Sequence, residues 1–328
     1  MPPPTRPRKR RHPIRAFFVT VFLLLLAWIA VIVAIPLITW TRLSVIDDLP
    51  QVRPAEQPGT AILLVGSDSR TDLTAEEKVE LATGDADGDR TDTMLIYYAP
   101  PTGRPALVSL PRDSYLPIPG YWEDKLNAAY SYGGAPLLIE TVEQNTGVQL
   151  DGYLEINMLG FSNLVDAVDG VEICPPEAIV DVNSNLDLAP GCQTIDGPTA
   201  LGYVRMRMAD PRGDLGRVER QREIITKVAA KLLRPSTVLN PIRWWDVNSA
   251  LTTAIRRGSD TTMSDLLAAA RSGPQFIRGD AVELTVPIAD SDAYTDAGSS
   301  VLWDDDLAAQ MFAEIAAGDT SGLDRFKQ

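Results

Sequence analysis

The sequence predicts an α/β protein, a single α/β/α domain with a central sheet preceded by one N-terminal transmembrane helix. Three observations predict it. Short apolar runs at Ala61–Val65, Thr93–Tyr98, Ala106–Leu110, Val171–Cys174 and Val282–Pro287 end in glycine, proline or charge. Between them lie stretches of helical length, the pattern of a sheet covered on both faces. The third is a run of 25 residues without a charge, Ala16 to Trp40, behind a basic tail.

The tail carries Arg6, Arg8, Lys9, Arg10, Arg11 and Arg15 and no acid. The apolar run makes about 37 Å of helix, enough for a hydrocarbon core of about 30 Å. Beyond it Arg42 stands against Asp47 and Asp48, so the positive end faces the cytoplasm and the rest of the chain lies outside. A cleaved signal peptide shares the basic-then-apolar order. The run is longer than a signal core and no small-x-small site precedes a polar segment, so it reads as a retained anchor. The chain divides into a cytoplasmic tail (1–15), an anchor (16–40), a tether (41–60, with two prolines between Val52 and Gly59), one domain (61–318) and a C-terminal tail (319–328).

Within the domain the strand at Ala61–Val65 delivers Gly66-Ser67-Asp68-Ser69-Arg70, and the polar, acidic stretch Thr71–Asp89 reads as a loop over the site. Helical patterns cover Ala135–Thr146, Asn157–Val168, Gly197–Met208, Leu215–Leu233 opening at Gly213-Asp214, Val247–Arg257, Met263–Arg271 and Asp304–Ala317. The apolar residues Leu137, Leu138, Ile139, Ile156, Met158, Leu159 and Phe161 read as core, with a lipid tunnel as the alternative.

Composition removes several function classes. The formal net charge is -14; taking the six tail cations from 30 Lys+Arg leaves 24 against 44 Asp+Glu in residues 16–328. Such a domain does not attract nucleic acid. The only histidine is His12, in the tail, so the domain holds no Ser-His-Asp or Cys-His arrangement and no histidine zinc site. Cys174 and Cys192 flank a Pro/Asn/Asp-rich loop, and an even count outside the membrane reads as one disulfide closing it, with two free thiols as the alternative.

Against this acidic background the stretch Leu201–Arg222 holds Arg205, Arg207, Arg212, Arg217, Arg220 and Arg222 and no lysine, whereas Asp113–Val204 holds no arginine and one lysine, Lys125. Guanidinium presents paired donors to phosphate oxygens, so the cluster points to a fixed polyanion. Arg205 and Arg207 diverge on a helix, which predicts that their helix ends near Tyr203. Three strand ends add mixed charge: Gly66–Arg70, Asp89–Met94 and Ser109–Tyr115. Carboxylate beside guanidinium suits a Mg²⁺-bridged phosphate, where the carboxylates hold the hard cation and the arginines neutralise what remains.

Gly66-Ser67-Asp68-Ser69-Arg70, Arg90-Thr91-Asp92-Thr93-Met94, Ser109-Leu110-Pro111-Arg112-Asp113-Ser114, Lys125-Leu126-Asn127-Ala128-Ala129-Tyr130 with Tyr132-Gly133-Gly134, and Tyr203-Val204-Arg205-Met206-Arg207 with Gly213-Asp214-Leu215-Gly216-Arg217 and Arg220-Gln221 resemble, in order, the motifs of the LytR-CpsA-Psr family. The resemblance implies a membrane-anchored phosphotransferase of the cell envelope with an α/β/α fold and an apolar tunnel. Such an enzyme moves a glycopolymer from a polyprenyl-pyrophosphate carrier to a peptidoglycan hydroxyl and releases polyprenyl phosphate. It implies Mg²⁺, or Mn²⁺ in its place, on Asp68 and Asp92. Arg90, Arg112, Arg205, Arg207 and Arg217 would grip the pyrophosphate, with Gln221 and Asp214 in support; Arg90, Arg112 and Asp214 would take part in catalysis. The general base stays open among Asp92, Asp113 and Asp214, as do the roles of Arg70 and Arg220 and the identity of the polymer. The alternatives are a carrier-pyrophosphate hydrolase and a non-catalytic ectodomain that binds wall polymer. Against the last, carboxylates repel a polyanion unless a cation intervenes.

Overall fold

The computed structural model describes residues 13–67, 91–206 and 213–327. In chain order α1 (Pro13–Arg42) leads to β1 (Ser44–Ile46), β2 (Thr60–Ser67), β3 (Thr91–Ala99), β4 (Ala106–Leu110), β5 (Tyr115–Pro117) and β6 (Glu123–Lys125). Then come α2 (Leu126–Thr146), β7 (Gly152–Asn157), α3 (Met158–Ala167), β8 (Val171–Ile173), β9 (Ile179–Asp181), β10 (Leu186–Leu188), β11 (Gln193–Ile195), α4 (Gly197–Arg205) and α5 (Gly213–Leu232). The chain closes with α6 (Pro235–Val238), α7 (Pro241–Ala254), β12 (Ile255–Gly258), α8 (Met263–Ala270), α9 (Gly273–Arg278), β13 (Val282–Thr285), β14 (Ile288–Thr295), β15 (Gly298–Trp303) and α10 (Asp305–Ala316).

Seven strands form one mixed sheet in the order β1-β12-β7-β2-β3-β4-β13. β2 runs parallel to β7 and antiparallel to β3, which is antiparallel to β4. The middle of the three charged strand ends is therefore the start of β3, not a C-terminal strand end. Antiparallel pairing still brings it to the edge where β2, β4 and β7 finish. Leu63, Ile96 and Val108 on three adjacent strands are fully buried, each worth about 1.5–3 kcal/mol of burial. They belong to a core shared with α2 and α10; a second core gathers α3, α4, α5 and β8 to β11 on the other side.

Local chemistry sets the helix starts. Asn157 Oδ1 accepts from Gly160 N at 2.7 Å to open α3, Asp196 caps α4 through Thr199 N at 3.0 Å, and Asp304 caps α10 through Leu307 N at 3.0 Å, each cap satisfying a donor the helix itself leaves unpaired. In α2 the backbone leaves helical geometry at Gly133 and Gly134, the latter at φ 66°, so the helix expected from Ala135 is the second limb of a kinked one.

Three expectations are revised. The stretch 319–328, expected to be a tail, packs Leu323 and Phe326 into the first core. The pattern read as helix to Arg257 ends at Ala254, and Ile255–Gly258 is strand β12, pairing with β7 and β1. Its arginines explain the switch: Arg256 Nη1 reaches the buried Glu155 at 3.3 Å, and the Arg257 guanidinium lies 4.2 Å over the Trp40 ring. The stretch 41–60, expected to be a tether, carries edge strand β1 and is laid along the domain. Asp48 is buried and accepts from Ser259 Oγ at 2.9 Å and Asp260 N at 3.0 Å, while Arg53 pairs with Glu143 at 2.9 Å. Burial pushes the Glu143 carboxyl up against the lowering influence of Arg53.

α1 extends past both ends of the predicted span and is long and apolar enough to cross a membrane. Cys174 and Cys192 form a disulfide around β9 and β10. Closing an 18-residue separation limits the unfolded chain, so Cys174→Ser is expected to lower stability by about 3 kcal/mol, read as a shift in denaturation midpoint that reductant reproduces in the parent chain.

Candidate active site

Where β2 meets β3 the register slips: Gly66 pairs with Thr93 but Ser67 with Thr91, leaving Asp92 as the extra residue of a β-bulge. A bulge re-aims its side chain, and Asp92 lines a cavity of about 610 Å³ between the sheet and α5. Next to it β4 ends at Leu110-Pro111, and Arg112 follows. Arg112 Nη1 donates to Asp92 Oδ1, and its Nε donates to Asp113 Oδ2 at 3.2 Å. Lys125 Nζ, at the start of α2, holds the other oxygen of Asp113 at 3.2 Å. A chain of alternating charge thus fixes Arg112 from behind and leaves its guanidinium at the cavity wall.

The opposite wall is α5. Arg217, 2% exposed, and Gln221, 6% exposed, line the cavity with Arg205 from the last turn of α4. Along the same face of α5 the lining continues through Ile225, Val228, Ala229 and Leu232. From Arg217 to Leu232 is about 22 Å of helix axis, so one wall passes from guanidinium to purely apolar. Ile156, Met158, Phe161 and Leu164 face it. Of the seven residues weighed as core or tunnel, Ile156, Met158 and Phe161 line the cavity; Leu138 and Ile139 are buried in the core under α2, with Leu137 packed against it, and Leu159 packs on the second core.

The arginine cluster does not act as one. α4 ends at Arg205 with Met206 as its cap at ψ 135°, two residues beyond Tyr203. Arg220, 5% exposed, donates from Nε to the Tyr203 carbonyl at 3.1 Å and from Nη2 to the Met206 carbonyl at 2.6 Å. Those carbonyls have no helical partner, and a cation at a helix C-terminus is favourable. Arg220 therefore holds the turn that presents Arg205. Arg222 Nε faces Glu283 at 3.5 Å, in a separate cavity with Glu219, Glu223 and Lys227. Arg220→Ala is expected to cost about 2–3 kcal/mol by stranding buried carbonyls, seen as an earlier denaturation midpoint.

Asp68, Arg70, Arg90, Arg207 and Arg212 lie outside the described residues, and Asp214 opens α5 with a side chain that is likewise outside them. Ser67, the residue before Asp68, lines the cavity. Among the described residues no three His, Cys, Asp or Glu cluster as a metal site. A magnesium ion needs no such cluster, since one or two carboxylates plus substrate phosphates complete its shell, and Asp92 at the bulge fits that donor set.

Glu155 was not anticipated. It is 1% exposed at the centre of β7, lines the cavity, and accepts from Tyr130 and Tyr153 hydroxyls, both at 2.9 Å, beside Arg256. Burial, then the charge of Glu155, push the Tyr153 hydroxyl well up, keeping it a donor. The one sequence signal was a lone acid inside Tyr153-Leu154-Glu155-Ile156.

Known proteins resemble the chain in sequence and in fold. A probable cell wall biosynthesis protein, LcpB, of Corynebacterium glutamicum is 44% identical over 278 residues, covering 84% of this chain and 65% of that protein. The polyisoprenyl-teichoic acid–peptidoglycan teichoic acid transferase TagU of Enterococcus faecalis is 39% identical over 189 residues, 55% of this chain and 56% of TagU. The chain thus spans less than two thirds of the length of these relatives. The fold matches a LytR-Csp2A-Psr enzyme from Actinomyces oris at a TM-score of 0.66 and 21% identity, over 84% of this chain and 96% of that one. It also matches TagT solved bound to LI-WTA, at 0.60 and 22%, over 84% and 98%. From the edge strand behind α1 to the end of α10, residues 44–316 match the LytR_cpsA_psr family, and the chain belongs to it.

Proposed function

We propose that this chain transfers a glycopolymer from a polyprenyl-pyrophosphate carrier to a peptidoglycan hydroxyl. The observation that carries the reading is the two-ended cavity: Arg112, Arg205 and Arg217 at one end suit a pyrophosphate, and the face from Ile225 to Leu232 suits the apolar chain attached to it. TagU is named for this type of transfer, and the family match supports extending it here.

In the proposed reaction the acceptor oxygen attacks the sugar-linked phosphorus while the bond to the bridging oxygen breaks. Polyprenyl phosphate leaves with that electron pair, and the hydroxyl proton passes to a carboxylate. Such transfers need positioning and charge neutralisation more than covalent catalysis. Arg112, Arg205 and Arg217 supply positive charge where negative charge builds on the leaving phosphate; Gln221 donates beside them. Asp113, behind Arg112 and shared with Lys125, positions that guanidinium. Mg²⁺, or Mn²⁺, would be held by Asp92 and Asp68 and would neutralise phosphate charge. Arg90, Arg207 and Asp214 are assigned to the same site on their motif positions.

The anchor reading belongs to the same proposal: α1 crosses the membrane with the basic tail in the cytoplasm and the domain outside, within reach of a lipid carrier. Retention is supported by the single residue, Leu43, that separates α1 from sheet strand β1.

The test is release of polyprenyl phosphate from a polyprenyl-pyrophosphate glycan by the full chain, with and without Mg²⁺ and peptidoglycan. Sugar appearing on the acceptor only with metal supports the transferase. Free sugar phosphate irrespective of acceptor makes the protein a hydrolase, and tight binding without turnover makes it a wall-polymer receptor.

A further inference from the structure

Among the described residues nothing covers the outer apolar side of α7 at its N-terminal end. Asn240 caps this helix by accepting from Ile242 N at 3.0 Å and Arg243 N at 3.3 Å, and Pro241 sits in its first turn. Its inner side is buried: Val247 and Ala254 are fully covered, and a Cβ on Gly160 of α3 would meet Ala254 Cα at 2.3 Å. Its outer side begins with Ile242 and Trp245, 71% and 48% exposed, and Leu239, 51% exposed, lies just before it. Three large apolar side chains within seven residues are a patch that needs a covering surface.

The position of α7 along α1 identifies that surface. The Trp244 indole N–H donates to the Ile32 carbonyl at 3.0 Å, and Thr39 Oγ1 donates to Asn248 Oδ1 at 3.2 Å. Ile35 of α1 is buried in this contact. Counting outward from Arg15, a hydrocarbon core of about 30 Å is used up after about 20 residues, near Ile35. Trp244 is thereby fixed at the level where hydrocarbon gives way to headgroups, the depth at which tryptophan is enriched. No slack intervenes, because α1 runs into sheet strand β1 and the following strap is bound through Asp48 and Arg53.

We infer that α7 is a membrane-interfacial helix: Leu239, Ile242 and Trp245 enter the outer leaflet of the bilayer, and α7 thereby holds the apolar end of the active-site cavity against the lipid. Resting on the proposal that α1 spans the membrane, the inference names what covers the patch. It also assigns a route for the donor. Leu232, the last cavity residue on α5, is joined to α7 by the eight residues 233–240 that carry the short α6, and the inferred route takes a prenyl chain from the leaflet into the cavity past this link. An amphipathic helix in this position gains from each apolar group it buries in lipid.

The experiment uses the full chain in phosphatidylcholine–phosphatidylglycerol bilayers, with a nitroxide on a cysteine introduced by Ile242→Cys, Trp245→Cys or, as a control, Tyr294→Cys in the β14–β15 hairpin. Labels at 242 and 245 are expected to relax with dissolved oxygen and to be shielded from a water-soluble nickel chelate, and the label at 294 to do the reverse. Chelate access at 242 and 245 equal to that at 294 overturns the inference. Turnover tests the donor route: the double variant Ile242→Glu/Trp245→Glu is expected to lose roughly tenfold on a long-chain prenyl donor embedded in the bilayer and nothing on a short-chain, water-soluble donor. Equal loss on both, or none on either, overturns the route. If the parent chain turned over neither donor, the transferase reading would fail, while the label depths would still decide where α7 lies.

Discussion

Arg112→Ala is expected to lower glycopolymer transfer by about 10²–10³-fold, the loss found when one fixed donor to developing negative charge is removed. The effect is large because Arg112 cannot be replaced by a neighbour. Its guanidinium joins two carboxylates at once, Asp92 through Nη1 and Asp113 through Nε, and it is 16% exposed. Removing it takes one counter-charge from Asp92 where that carboxylate faces the phosphate, so repulsion adds to the lost attraction. Arg112→Lys is expected to recover little, since one ammonium cannot hold that fork. The fall should appear in kcat, read from polyprenyl phosphate release at saturating donor. A fall in kcat/KM with kcat unchanged would make Arg112 a binding group only.

Asp113→Asn separates position from charge. Asp113 holds Arg112 Nε and Lys125 Nζ and does not line the cavity, so the substitution acts through the orientation of Arg112. Its loss should be smaller than that of Arg112→Ala and should vanish in the Arg112→Ala background, the non-additivity expected of residues in one network.

The strands at Thr60–Ser67, Thr91–Ala99 and Ala106–Leu110 were legible because each contains a run of apolar residues, most of them buried, with punctuation at its end. β7 was not. Gly152-Tyr153-Leu154-Glu155-Ile156-Asn157 carries an acid at its centre, and that acid is buried only because Tyr130, Tyr153 and Arg256 converge on it. No local period encodes such a meeting. The same holds for β12, whose Arg256 and Arg257 continue a helical pattern until Glu155 and Trp40 supply partners from distant segments.

The candidate site was legible as residue types and less so as roles. Arg112, Arg205, Arg217 and Gln221 meet at one cavity, whereas Arg220 and Arg222, equally close in sequence, turn to carbonyls and to Glu283. On α5, Arg217 and Gln221 are one turn apart and share a face, while Arg222 points about 100° away from Gln221. Helical phase separates Arg222 from the cavity pair but not Arg220, which stands three residues from Arg217 and is drawn aside by the Tyr203 and Met206 carbonyls. The bulge that singles out Asp92 depends on pairing with β2, which the sequence of β3 does not reveal.

Ala229→Trp is expected to remove roughly 10- to 100-fold of the activity on a long-chain donor while sparing a donor with a short prenyl tail, a steric cost of about 1–3 kcal/mol. Ala229 lies on the cavity face of α5, two turns beyond Gln221. An indole there enters space already empty, so it obstructs the apolar limb without forcing the packed core apart and without touching Arg112, Arg205 or Arg217. The charged end then still neutralises a pyrophosphate whose tail stops short of the obstruction. Matching KM and kcat for the short donor, beside a raised KM for the long one, is the pattern a blocked tail site produces. Equal losses on both donors would mean that the face from Ile225 to Leu232 is structural and that the lipid runs elsewhere. Because the denaturation midpoint is expected to stay near that of the parent chain, a shared loss could not be ascribed to misfolding if the midpoint holds.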